Sequence, residues 1–267
     1  MEEISVQFLG SGDAFGSGGR FQTCIHVRFN TTHFLLDCGA SSLIAMKRYG
    51  LGPSLVDTIL ITHLHGDHFG GLPFFIMEAQ YVSHRRKPLV VAGPPGLEDR
   101  INEAMEVLYP GSSQTQREFA LKFVELTEET GTPIGSLVVT AYEVVHPSGA
   151  PSYALRVVCG SKIVAYSGDT EWTDALIRAA RGADLFICNC YFFDKGGLVP
   201  PRLSNAYGTP DGAGVPQTRP DSHKRRDAAP DPKPRRRRGG GRQELHVVAR
   251  DHPRRRGQGL GARILPP

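Results

Sequence analysis

Residues 62–71 read Thr-His-Leu-His-Gly-Asp-His-Phe-Gly-Gly, placing His63, His65, Asp67 and His68 directly after the apolar run Val56 to Ile61. That run is expected to be a buried β-strand, so the histidines sit just past its end. In extended backbone, residues two apart point the same way, which aims His63 and His65 at one ion while Leu64 turns to the core. Gly66 is expected to let the chain swing round, so that Asp67 and His68 face another direction at the start of the next helix. Two neighbouring ions suit this pattern better than one crowded tetrahedral site. A polar turn with surface histidines would not need this density of ligands at this spacing. The chain must therefore fold so that strand ends gather at one edge.

Further ligands have to come from other strand ends. His146 follows the β-like run 136–145, and Asp169 follows the run 161–167 within Ser-Gly-Asp-Thr. A carboxylate can bridge two cations through its two oxygens, whereas an imidazole nitrogen binds one, so Asp169 is the natural bridge. Alone, His146 would be read as a loop histidine and Asp169 as an Asx-turn former. The first motif is what turns both into ligands.

With these residues in place the chain resembles the metallo-β-lactamase superfamily, through Thr62 to His68, His146 and Ser167 to Thr170, over roughly residues 4–195. The segments Phe8-Leu9-Gly10-Ser11-Gly12, Leu35-Leu36-Asp37-Cys38-Gly39 and His68-Phe69-Gly70-Gly71-Leu72-Pro73 are most similar to the ribonuclease Z branch, which includes cyclic-phosphate phosphodiesterases. The resemblance implies His63, His65 and His146 on one metal and Asp67 and His68 on the other, with Asp169 shared. It also implies a last histidine on a strand near the C-terminus. No residue fits that role: His223, His246 and His252 lie in irregular sequence and are not taken as ligands.

The implied fold is mixed α/β, a four-layer αβ/βα metallo-β-lactamase sandwich, here lacking its normal last strand and helix. An independent coarse reading agrees. Strands are expected over residues 5–9, 23–29, 33–36, 56–61, 89–92, 122–125, 136–145, 153–158, 162–166 and 185–190, and helices over 41–49, 71–84, 95–108 and 172–181.

Composition breaks near residue 198. From Val199 to Pro267 there are 16 Lys and Arg against 6 Asp and Glu, with 11 of the 20 prolines, so this segment carries +10 against −6 for residues 1–198, and the basic excess of +4 comes from it. The expected organisation is a hydrolase domain over 1–198 and an Arg/Pro/Gly-rich, disordered tail over 199–267, which has too little apolar surface to offset chain entropy. One reading makes the tail a basic arm that touches RNA electrostatically. The preferred reading is a frameshift, since arginine runs between Pro and Gly are a weak motif. Codons for Asn205 to Pro210 permit Thr-Leu-Met-Ala-His-Arg when shifted by one base, and those for Pro220 to Lys224 permit Leu-Ile-Leu-Thr followed by Asn or Ser. The nucleotide sequence decides it: one inserted or deleted base between codons 195 and 200 should restore the family's ending, and its absence would refute the idea.

The five cysteines, Cys24, Cys38, Cys159, Cys188 and Cys190, are odd in number and lie in apolar contexts, so reduced thiols and a cytoplasmic location are expected. No run of 18 apolar residues supports a membrane span. His26, His33 and His84 read as ordinary, and His84-Arg85-Arg86-Lys87 as a solvated helix end.

The chemistry that fits is hydrolysis with a hydroxide bridging two divalent metals roughly 3.5–4 Å apart. Zinc is expected from four histidines and two aspartates, with manganese as the alternative. Asp67 is the expected catalytic base. Asp37 is expected to orient a ligand histidine through its second nitrogen, or else to cap the turn into Gly39. The resemblance implies phosphodiester substrates, a small molecule or an RNA 3′ end, and a homodimer. The loop Gly16 to Phe21 lacks the basic Pro-x-Lys-x-Arg pattern of ribonuclease Z, and no long Gly/Pro-rich arm stands between Leu108 and Lys122, which favours a small or cyclic phosphodiester over precursor tRNA. A lactone, thioester or sulfate-ester hydrolase would use the same cradle. A catalytically impaired frameshift product is the non-enzymatic alternative.

Overall fold

A computed structural model of the chain describes residues 4–190 and the backbone of residues 244–249. The first half forms one six-stranded sheet from β1 (Ile4–Gly10), β2 (Cys24–Phe29), β3 (Thr32–Leu36), β4 (Thr58–Leu60), β5 (Leu89–Gly93) and β6 (Leu121–Glu125), in sequential order. β1, β2 and β3 pair antiparallel, while β3 to β6 run parallel with helices as crossovers. The second sheet holds β7 (Thr132–Ile134), β8 (Leu137–Val144), β9 (Ser152–Cys159), β10 (Lys162–Tyr166), β11 (Leu185–Cys190) and β12 (Glu244–Ala249), again in sequential order.

Alternation along the strands sorts side chains into three apolar layers. Ile25, Val27, Phe34, Leu36 and Leu60 from the first sheet meet Val139, Leu155, Val157, Val164, Tyr166 and Ile187 from the second, forming the buried layer between the sheets. The opposite face of the first sheet presents Leu35, Ile59, Ile61 and Val91 to α1 (Ser42–Arg48), α3 (Leu72–Tyr81) and α4 (Leu97–Leu108). Helix α5 (Asp174–Ala180) covers the second sheet through Ala175, Leu176 and Ala179. The result is the αβ/βα sandwich that the sequence implied. Among the described residues no helix is long and apolar enough to cross a membrane.

Three local differences from the sequence reading have physical causes. β7 lies outside the strands expected from sequence; Pro133 occupies its centre, where at a sheet edge a missing N–H costs no ladder bond. Within the segment expected to be disordered, Glu244–Ala249 adds an antiparallel edge strand to β11, with His246 opposite Cys188; a short β-rich run finds partners on an otherwise open edge. The rest of that segment, including His223 and His252, lies outside the described residues.

The basic run after α3 also departs from expectation. Arg85 is 2% exposed and donates to the carbonyls of Pro53, Ser54, Val56, Lys87 and Pro88. It pins the helix end to the loop entering β4, because a buried guanidinium persists only with its donors satisfied. His84, Arg86 and Lys87 are exposed as a solvated helix end requires, Arg86 pairing with Glu118 and Lys87 with Asp57, so the departure is Arg85.

Candidate metal centre

Strand β4 ends at Leu60, and the chain continues in extended form, with Ile61 N–H donating to Ala92 and the Thr62 carbonyl accepting from Tyr153 N–H of the second sheet. This double anchorage fixes the segment that carries the histidines. Leu64 packs into the helix-side core at 5% exposure, as its alternation requires, leaving His63 and His65 on the opposite side. The turn α2 (Gly66–Phe69) then carries Asp67 and His68. Gly66 itself has no positive φ, and a Cβ there would meet nothing within 4 Å, so it is not the hinge the sequence suggested. The glycine that the loop needs is Gly39, where a Cβ would sit 2.2 Å from the Asp67 carbonyl oxygen. Close backbone approach there lets Cys38 N–H reach the His68 carbonyl.

His146 follows β8, its carbonyl held by the Ser152 hydroxyl. Asp169 follows β10 in a turn that Gly168 enters at φ 58°, under the Tyr153 carbonyl. The imidazole of His63 thus lies 4.9 Å from that of His65, 4.1 Å from His68 and 4.7 Å from His146, centroid to centroid. His65 Nδ1 and His146 Nε2 are 3.1 Å apart. Two sets of ligand atoms fall within 4.8 Å of one another: His63, His65 and His146, and His63, His68 and Asp169. The structure thereby brings together five of the six residues singled out from sequence. Asp67 stands alongside, its Oδ2 3.6 Å from His68 Nε2.

Asp37 explains the orientation of two of these rings. It is fully buried at φ 61°. Its Oδ2 accepts from His68 Nδ1 at 2.7 Å, and its Oδ1 accepts from Thr62 N–H at 2.8 Å. The Thr62 hydroxyl donates to the same carboxylate at 3.0 Å, so towards His63 Nδ1, also 3.0 Å away, it can only accept. Both rings must then carry their proton on Nδ1, and both turn Nε2 into the site. Those Nε2 atoms, of His63 and His68, are buried and make no hydrogen bond of ordinary geometry, the Nε2 of His68 lying 3.4 Å from Asp169 Oδ1. Leaving such groups unsatisfied is costly unless something else occupies them. Four imidazoles and two carboxylates suit a borderline divalent cation such as zinc, so the residues present fit the metal that the motif implies.

The electrostatics of the metal-free site agree. Burial, reinforced by the charge on His68, pushes the His63 pKa down to about 2 and keeps that ring a neutral donor. Burial also lowers His146, partly offset by Asp169. His68 resists burial: Asp37 and Asp169 on either side raise it well above the ordinary 6.5. Burial would raise Asp169, yet His68, whose Nε2 lies 3.4 Å from its Oδ1, and the surrounding charge hold it well below the usual carboxylate range.

Two contributors were missed in the sequence. Thr62 was read only as the start of the motif, although a hydroxyl next to His63 is the group that sets its tautomer. Asn189 of β11 donates through Nδ2 to Asp169, and its N–H donates to the Ser167 hydroxyl. The signal was the parallel pairing of β10 and β11, which aligns Tyr166 with Ile187 and carries the two strand ends forward side by side. Of the cysteines, Cys24, Cys38, Cys159 and Cys188 are free thiols, the first three buried. His26 and His33 hydrogen-bond each other at 3.0 Å and take no part in the centre.

A family model described as anti-Pycsar protein Apyc1 matches residues 4–199. The chain is 32% identical over 155 residues to the ribonuclease Z of Lachnospira eligens, a match covering 58% of this chain and 49% of that protein. It thus spans about half the length of the first curated relatives it matches. Among solved structures, human tRNase Z, short form, superposes with a TM-score of 0.57 at 27% identity, over 70% of this chain and 76% of that one. The metallo-β-lactamase fold protein YhfI of Bacillus subtilis superposes at 0.54 and 20% identity, over 68% and 70%, a likeness of fold.

Proposed function

Because the chain belongs to the anti-Pycsar protein Apyc1 family and has a metallo-β-lactamase fold, we propose that it is a metal-dependent hydrolase of phosphodiesters. The observation that carries this is the convergence of His63 and His68 Nε2, both buried and without a hydrogen bond of ordinary geometry, on a space also reached by His65, His146 and Asp169. His63, His65 and His146 would hold one divalent cation, and His68 and Asp67 a second, with Asp169 between them. Zinc is the first choice and manganese the second. When bound, such a pair supplies Lewis-acid stabilisation of a phosphoryl oxygen and lowers the pKa of water.

The chain's own residues would do the rest. Asp67, beside His68 and 9% exposed, is placed to accept a proton from the attacking water. Asp37 and Thr62 hold the tautomers, and Asn189 steadies the shared carboxylate. A small or cyclic phosphodiester is the favoured substrate. Supporting this, the segment between α4 and β6 is short and begins by turning back on α4, where Glu106 accepts from Gly111 and Ser113 N–H. The ribonuclease Z relatives support precursor tRNA as the second reading. A location in the cytoplasm accords with the buried free thiols.

Hydrolysis of bis(p-nitrophenyl) phosphate by the full chain and by His63→Ala tests the reading. The variant should lose at least about 100-fold, the upper range of outer-shell losses, since it removes a direct ligand. Equal rates would refute the hydrolase. Cleavage of a 3′-extended tRNA in preference to cyclic phosphates would replace the favoured substrate with the second.

A further inference from the structure

Asn189 stands where the apolar layer between the sheets gives way to the metal centre. Ile187, two residues earlier on β11, packs in that layer, and alternation gives Asn189 the same face at the end of the strand. Its N–H donates to the Ser167 hydroxyl at 2.9 Å, and its Nδ2 donates to Asp169 Oδ1. The same carboxylate oxygen lies 3.4 Å from His68 Nε2. An ionised carboxylate only accepts, so the amide must turn its nitrogen to Asp169 and keep its oxygen free of it. The two ends of an amide are about 2.2 Å apart, which leaves Asn189 Oδ1 within about 5 Å of the shared carboxylate.

That oxygen is buried, and among the described residues nothing donates to it. A buried acceptor left without a donor is costly, and a small apolar residue at this strand end would avoid the cost. Neither Asp169 nor Asp67 has a proton to give when ionised, and hydrolysis brings water and substrate into this space. We propose that Asn189 Oδ1 binds an O–H group entering the metal centre, carried by the attacking water or by a substrate hydroxyl beside the phosphodiester. The amide thereby links the shared carboxylate to the reacting molecule. The inference rests on the hydrolase reading above.

Two variants separate the ends of the amide. Asn189→Asp keeps an acceptor in place of Oδ1 and loses the donor to Asp169, whereas Asn189→Ala loses both. Zinc affinity of the three full-length proteins is measured by competition with a chromogenic chelator. At saturating zinc, kcat/KM is then measured on bis(p-nitrophenyl) phosphate, which has no hydroxyl, and on adenosine 3′,5′-cyclic phosphate, which has one beside its phosphodiester. Asn189→Ala should bind zinc about tenfold more weakly, within the range for partners of a metal ligand. It should also lose about tenfold in kcat/KM, the worth of one hydrogen bond, while Asn189→Asp should stay within about threefold of the unaltered chain. A loss on both compounds would identify water as the source of the O–H, and a loss on the cyclic nucleotide alone would identify the substrate. No loss in Asn189→Ala on any compound that the unaltered chain hydrolyses would overturn the assignment, as would equal losses in the two variants. Unchanged zinc affinity in Asn189→Ala would overturn it too, because the amide would then not hold Asp169. Hydrolysis of neither compound by the unaltered chain would defeat the hydrolase reading and this inference together, whereas the other contrary results defeat only the role of Asn189.

Discussion

Asp37 illustrates how one buried side chain can orient the rings of a site. It fixes His68 directly and His63 through Thr62, so losing it frees two of the proposed ligands at once. Asp37→Asn should therefore weaken zinc binding by about 10–100-fold, whereas Thr62→Val, which releases only His63, should cost less; equal affinities for all three proteins, by chelator competition, would contradict the scheme. Protonation follows the same geometry. A raised His68 pKa contributes stability that is complete below the ordinary 6.5 and is lost as pH rises through the raised value. A lowered Asp169 pKa contributes stability present above the ordinary 3.8 and lost as pH falls through the lowered value. The lowered His63 and His146 pKa values cost stability as pH falls below the ordinary 6.5, so the metal-free cluster should stabilise the fold most near about pH 6.5, read by denaturant midpoints after chelation. On the proposed reading zinc would take the Nε2 position that a proton holds in the charged His68 ring, so binding at pH 7 should release a proton. Calorimetry in two buffers of different ionisation enthalpy would show this as different apparent heats, and identical heats would refute it.

At the scale of elements, the site depends on how closely α2 can approach the end of β3. A methyl group at Gly39 would collide with the Asp67 carbonyl, and no flexible side chain is there to yield. Gly39→Ala should cost about 1–3 kcal/mol and lower zinc retention together with stability. Gly66→Ala meets open space on a helical backbone and should be neutral or stabilising by up to about 1 kcal/mol. Chemical denaturation of the pair checks this, and a reversed ranking would contradict the account. The contrast also marks what was legible in the sequence. Strand periodicity located β1 to β6 and β8 to β11, and the spacing of His63, His65 and His68 located the loop, because both depend on local alternation. The close approach at Gly39, the Asp37–Thr62–His63 chain and the burial of Arg85 depend on contacts between segments distant in sequence, which no local pattern encodes. Gly66 was misread for the same reason: a glycine within a motif looks like a hinge until the backbone around it is known.

For the whole molecule, the sandwich gathers the ends of β4, β8 and β10 at one edge, and charge is divided unevenly along the chain. The segment from Val199 carries 16 basic residues against 6 acidic ones. Whatever its origin, such a segment should bind RNA with a steep salt dependence, because neutralised phosphates release counterions. A chain ending at Lys195 should lose most of that affinity and flatten the slope; an unchanged slope would show that the basic segment makes no electrostatic contact. The central claim, that the three strand ends cradle a pair of cations, is tested most directly by anomalous diffraction at the zinc edge from crystals of the zinc-loaded protein. The account predicts two peaks roughly 3.5–4 Å apart, one against His63, His65 and His146 and the other against His68, with Asp169 between them. No peak at this edge, or a single peak away from these residues, would contradict it.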